Sequence, residues 1–283
     1  MKKAILTLAL ASFGAVAFAQ EAAPSAVPAN QPAYVISAKF AYESKYISGG
    51  QKHSNSNFQT DIALEYLLPT QGLDSLSLYG KFFYMSPISK QYNEAKLTGG
   101  LRGDFAQEYF FDLGYRFSGY PNSNGHRAES AWEMNRPELN RSNETYIGIG
   151  RDVRFLDDAE WSEVRLSAYG YYNWNIEQYT IEVAAEKTFK HVFVDELDIY
   201  SKLAYGYACA NNWGGDQHAW TQDLDSYDYG YFTAQVDAIY KLNETTSLSV
   251  GARYAYNNGD DGIKSPNNDC SDFWVGASIS FSY

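Results

Sequence analysis

Apolar side chains recur at every second position from Tyr34 to Tyr283. In the last stretch Phe273, Val275, Ala277, Ile279, Phe281 and Tyr283 share one face. Gly276, Ser278, Ser280 and Ser282 share the other, and only Trp274 breaks the pattern. In the first stretch Tyr34, Ile36, Ala38, Phe40 and Tyr42 oppose Ser37, Lys39, Glu43 and Lys45. A period of two is the mark of a strand with unlike faces. Ten further segments carry it, over 58–68, 75–85, 95–105, 109–119, 144–153, 162–174, 178–188, 196–209, 229–241 and 245–256, which makes twelve in all. Most exceed the roughly 5–6 residues usual in soluble sheets. They suit the roughly 9–11 that a tilted strand needs to cross a bilayer.

The connections alternate in length. Short turns are expected at 69–74, 106–108, 154–161, 189–195 and 242–244. Long polar loops are expected at 120–143, 210–228 and 257–272, with intermediate loops at 49–57 and 86–94 and a tight turn at 175–177. Short periplasmic turns and longer outer loops are the pattern of outer-membrane barrels. The fold expected is therefore all-β: a twelve-stranded antiparallel transmembrane β-barrel. Inside a bilayer every backbone amide needs a partner within the protein, so such a sheet closes on itself. A periplasmic sandwich or lipocalin-like barrel would also alternate. Two aromatic rows near the strand ends favour the membrane. Tyr46, Phe58, Tyr84, Phe117, Tyr172, Trp174, Tyr179, Tyr207, Tyr256 and Phe273 mark the loop side, and Tyr34, Tyr66, Phe105, Tyr109, Tyr240 and Tyr283 the turn side.

Composition agrees with this reading. Of 283 residues 17% are aromatic and 20% charged, and the formal net charge is −12. So many aromatics exclude a disordered chain, and the acidity argues against a nucleic-acid partner. The mean hydropathy of −0.43 becomes the average of two faces that meet different solvents.

The N-terminus reads as a targeting segment. Lys2 and Lys3 precede an apolar stretch from Ala4 to Ala19 that ends Ala17-Phe18-Ala19, an A-x-A cleavage signal. Residues 1–19 are expected to be a signal peptide cut between Ala19 and Gln20. Residues 20–33, with Pro24, Pro28 and Pro32 among Ala, Ser and Asn, read as a flexible periplasmic leader. Residues 34–283 form the barrel.

The stretch Tyr42-Glu43-Ser44-Lys45-Tyr46-Ile47-Ser48-Gly49-Gly50, followed by Phe58-Gln59, resembles the opening of the Gcw_chp family, with Ser48 where that family usually has Arg. The final strand Trp274-Val275-Gly276-Ala277-Ser278-Ile279-Ser280-Phe281 resembles that family's end. The resemblance covers the two ends of the chain. It implies a bacterial outer-membrane barrel and carries no activity or catalytic residues. The terminal Phe281 and Tyr283 resemble the signal read by barrel-assembly machinery.

With the apolar face toward lipid, Lys39, Lys45, Lys81, Lys96, Arg102, Arg116, Arg165, Lys202 and Arg253 point into the lumen. Glu43, Asp61, Glu65, Asp104, Asp112, Glu163, Glu182, Glu186, Asp198 and Asp237 join them. A Lys or Arg facing lipid at mid-depth costs about 2–4 kcal/mol, which drives this placement. The leading function is a narrow porin-like channel for passive passage of small solutes, lined by Lys39, Glu43, Lys45, Lys81, Arg102, Arg116, Arg165, Glu182, Glu186, Lys202, Asp237 and Arg253. The alternative is a non-conducting structural barrel whose outer loops bind a partner, with the same charges paired as a lattice. A remote alternative is an outer-membrane lipid hydrolase using His53 with Ser54 or Ser56, placed in a polar loop without a third orienting group. The remaining histidines, His126, His191 and His218, read as loop or turn residues. Asp216, Asp223, Asp225, Asp228, Asp260 and Asp261 make acidic loops that match no calcium motif. No cofactor or metal is expected; the partners expected are outer-membrane lipids, the assembly machinery and small solutes. Cys209 and Cys270 both fall on the loop side, where oxidising conditions permit a disulfide if the last loop folds across the rim.

Overall fold

A computed structural model describes residues 34–88, 93–121, 141–155, 163–175, 177–210, 227–258 and 271–283. It contains twelve strands: β1 (Tyr34–Ser48), β2 (Gln51–Leu67), β3 (Ser75–Pro87), β4 (Glu94–Phe105), β5 (Tyr109–Gly119), β6 (Arg141–Arg154), β7 (Glu163–Asn173), β8 (Gln178–Phe189), β9 (Leu197–Ala210), β10 (Tyr227–Lys241), β11 (Thr246–Asn257) and β12 (Ser271–Ser282). Each pairs antiparallel with its sequence neighbours, and β1 pairs with β12 to close the barrel. The closing seam ends at the last residue: Ile36 N donates to Tyr283 O at 2.9 Å, and Tyr283 N to Ile36 O at 2.8 Å.

The two faces follow the sequence alternation. Ile147, Ile181, Val250 and Leu203 are exposed at mid-strand, as a lipid-facing band requires. Phe58, Trp174, Tyr179, Tyr207, Tyr256 and Phe273 form the aromatic row at one rim, and Tyr34, Tyr66, Tyr240 and Tyr283 the row at the other. No described helix is long and apolar enough to cross a membrane; the strands do so.

Two expectations are corrected. The predicted loop 49–57 is strand: β2 begins at Gln51, and the turn is Gly49-Gly50, both with positive φ (54° and 71°). That is the two-residue turn whose twist matches a hairpin. Tyr46, expected in the outer aromatic row, is 1% exposed and lies inside. The signal segment, the leader, most of the long loops, His126, His218, Asp216, Asp223, Asp225, Asp260, Asp261 and Cys270 lie outside the described residues.

Candidate functional site

Among the described residues, ionisable groups gather away from solvent in the interior of the barrel. Alternation along each strand puts all the predicted lumen residues on the inner face, and most are buried. On the side built by β8–β2, cations meet carboxylates. Arg253 Nη2 lies 3.0 Å from Asp237 Oδ1 and 3.3 Å from Glu43 Oε1. Lys202 Nζ is 3.0 Å from Glu186 Oε1, and Lys81 Nζ is 2.8 Å from Asp61 Oδ1. Glu182 accepts a hydrogen bond from Tyr231 Oη at 2.7 Å. Lys39 is buried in the same region.

On the β3–β7 side, cations lie over rings. Arg102 sits 4.4 Å from the centroid of Tyr79, Arg165 4.8 Å from that of Phe110, and Arg116 5.6 Å from that of Tyr146. Tyr146, Tyr169, Tyr171 and Phe110 form one buried cluster. Asp112 accepts from Tyr79 Oη at 2.6 Å, and the Tyr79 and Tyr146 hydroxyls bond to each other. These rings fit because the paired position on the next strand is glycine. Tyr169 pairs with Gly148, where a Cβ would meet the ring at 2.2 Å. Tyr231 pairs with Gly206 in the same way, at 2.2 Å. Glycine there permits close approach of a neighbouring side chain.

Four carboxylates missed from the sequence complete the lattice: Glu94 with Lys96, Glu144 with Arg116, Asp152 with Arg165 and Asp272 with Lys45. Each lies near a strand end, on the parity that points inward. Glu144 and Asp152 fall inside the expected strand 144–153, and extending the alternation by one residue reaches Glu94 and Asp272.

The mouth is crossed by the β1–β2 hairpin. Pairing of β1 with β12 stops at Glu43↔Gly276, although β1 continues to Ser48. Pairing of β2 with β3 stops at Asn57↔Pro87. The arm beyond these points bends inward, so both its faces lie inside the barrel. One face reaches the β3–β4 wall, where Tyr46 stacks on Phe83 beside Met85 and its Oη accepts from Lys96 Nζ at 2.6 Å. The other reaches the β10–β12 wall. Ile47 packs with Ala255 and Trp274, and Asn257 Nδ2 donates to Gly50 O at 2.7 Å. A Cβ on Gly50 would lie 2.4 Å from Tyr231 Cβ. Trp274, the apparent exception on the polar face, donates from Nε1 to Glu43 Oε2 at 2.7 Å. Against the arm lies a cavity of about 60 Å³ lined by Glu43, Glu182, Lys202, Tyr231, Gln235, Arg253 and Trp274 among others. A single water needs about 10–15 Å³ by such a measure, so it holds a few waters.

The residues of the remote hydrolase alternative lie on the β1–β2 arm. His53 is skipped by a register shift at Tyr46/Ile47, and its ring lies beside Tyr46. Ser54 Oγ donates to Asn55 O at 2.9 Å and faces Met85 Sδ at 3.8 Å. Ser56 Oγ accepts from Tyr42 Oη at 3.1 Å. His191 is tied into its turn by Asp198 and by the Asp195 carbonyl. Among the described residues no group of His, Cys, Asp or Glu could hold a metal. The expected Cys209–Cys270 bridge is not found. Cys209 is a free thiol on the outward parity of β9, beside Asp228 in the ladder, and Cys270 lies outside the described residues.

No protein-family model and no curated protein matches the chain, so the Gcw_chp resemblance stands unsupported. Solved structures are similar in fold. An outer membrane channel from Pseudomonas putida F1 is 12% identical, with 93% of this chain and 100% of that one covered and a TM-score of 0.49. LpxR from Salmonella typhimurium is 8% identical, with 87% and 99% covered and a TM-score of 0.46. The KdgM porin is 9% identical, with 87% and 99% covered and a TM-score of 0.45. The chain is a twelve-stranded β-barrel of the bacterial outer membrane. Its closed sheet, lipid-facing band and charged interior carry that statement; likenesses this distant assign no substrate.

Proposed function

We propose that the barrel is a narrow channel for passive passage of small polar solutes, shut in the conformation described. The observation behind this is the polar interior itself. An apolar filling would hold such a barrel together at least as well, because buried ion pairs are often no more stable than hydrophobic replacements. Ionisable groups within a membrane are a functional-site hypothesis by default. Here Glu43, Glu182, Lys202 and Arg253 border a cavity against the arm at the mouth. The expected secretion signal 1–19 and leader 20–33 fit delivery to the outer membrane, with Phe281 and Tyr283 at the seam as the assembly signal.

The alternative, a non-conducting barrel, is favoured by the near-complete burial of the same charges. Single-channel recording separates the two. The channel reading expects small, infrequent openings from folded protein, and a reversal potential shifted toward anions in Glu182→Gln. Silence at every potential, in the wild type and in variants of the β1–β2 arm alike, leaves the structural barrel.

A further inference from the structure

We propose that the arm Ser44–Ser56 is a gate with two seats, one inside the barrel and one on the edge of β12. This rests on the channel reading above. Three observations carry it.

The first is detachment. The arm is a hairpin with one bulge at His53, and its strand pairing ends at Glu43 with β12 and at Asn57 with β3. Its β1 root leaves β12 at Glu43 and its β2 root is held to the β3 side by one last bond, Ile88 N to Ser56 O at 2.8 Å, so the hairpin can turn about these two points as one piece. The lost ladder is replaced by a side chain: Val275 N donates to Ser44 Oγ at 3.1 Å.

The second is an edge of β12, without a second strand partner among the described residues, that matches the arm. Residues Ser271–Val275 pair with β11 and have no β1 partner. Continuing the register of Glu43↔Gly276 brings Ser44 to Val275, Tyr46 to Phe273 and Ser48 to Ser271. In that seat Tyr46 falls on the outward parity beside Phe273, which is the place in the aromatic row that the sequence alternation assigns to it. One residue thus has two satisfied positions: inside, on Phe83 and Lys96, and outside, in the belt.

The third is the small inner seat. The β10–β12 wall holds the arm through the apolar contact of Ile47, the Asn257–Gly50 hydrogen bond and the Lys45–Asp272 ion pair. The cavity lies against that seat. Moving the arm to the β12 edge uncovers the cavity and joins it to the mouth.

The test uses the full-length barrel in planar bilayers. Folding is checked by the heat-dependent shift of barrels on gels. Ile47→Glu places a carboxylate in the apolar inner seat, and its open probability is expected to rise at least tenfold over wild type. As a lock, Ile47→Cys with Ala255→Cys is built with Cys209 and Cys270 replaced by Ser. Oxidised, it is expected to be silent; reduced, to open as often as its parent. Wild type, Ile47→Glu and the oxidised pair conducting alike would overturn the gate and leave the channel standing. Failure of the pair to oxidise in folded protein would overturn the inner seat. Silence of every folded variant, Ile47→Glu and the reduced pair included, would overturn the channel reading and the gate with it.

Discussion

Both sides of the barrel interior pair cations with carboxylates, but they differ in what packs around the pairs. On the β3–β7 side three arginines lie on rings, Arg116 and Arg165 also pairing with Glu144 and Asp152, and the rings lie on glycines of the neighbouring strand. On the β8–β2 side Arg253 bridges two carboxylates and Lys202 pairs with Glu186. A ring over a glycine has little freedom, so the first side is a filled wall. An ion pair between long side chains can be exchanged for another pair or for water. The cavity and the inner seat of the arm both lie on that second side. If solute passes, it passes there.

The largest expected effect tests that contrast. Arg253→Met leaves Glu43 and Asp237 buried without their shared cation. Removing one partner of a buried pair costs about 3–5 kcal/mol. Arg102→Met on the other side removes a cation over a ring, worth about 0.5–2 kcal/mol, and the cross-strand charge from one carboxylate, Asp112, which keeps its tyrosine hydroxyl. Urea unfolding from lipid vesicles should rank the first well above the second. Equal losses would mean that the two sides do not differ in how they hold charge.

A smaller effect separates the glycines. In Gly148→Ala the new methyl meets the ring of Tyr169, which is wedged in the buried cluster. Overpacking of this kind costs about 1–3 kcal/mol. In Gly276→Ala the nearest atoms, at 3.0 Å, are the ends of the Arg253 and Glu43 side chains. These can shift by a few tenths of an ångström, so the loss should be a fraction of that at Gly148. The same unfolding measurement checks both. A Gly276 loss as large as that at Gly148 would show the ion-pair side to be as rigid as the wall of rings.

The alternation made most of this legible. Strand number, order of turns and loops, and the inward placement of Lys39, Arg102, Glu182, Lys202 and Arg253 all follow from a period of two, because lipid and interior ask for opposite chemistry. Three features escaped for physical reasons. Residues Lys52–Asn57 have no apolar alternation, since neither face of the arm meets lipid, so strand there looks like loop. Tyr79, Tyr146 and Tyr169 point inward, and tyrosine suits both faces, so residue type alone does not show which way it points. Their signal was the paired glycine, which becomes readable only once register is known. Asp272 and Glu94 sat just beyond the assumed strand ends and were counted with the loops.

The smallest effect belongs outside the barrel. Arg151 makes two hydrogen bonds to Glu108 at the turn side, at 3.0 Å and 2.6 Å, and lies over the ring of Tyr109. By geometry alone this is a better ion pair than Arg253 with Glu43. It is half-exposed, however, and both partners keep most of their hydration when parted. Exposed pairs of this kind often contribute nothing measurable, because Coulomb attraction in water is weak and two long side chains must be ordered. Arg151→Gln should therefore leave the unfolding midpoint unchanged in vesicles, at low salt and at high salt. The contrast with Arg253→Met is between one pair that water can replace and another that it cannot reach. A clear loss in Arg151→Gln would place the strength of these pairs in their geometry rather than in their burial.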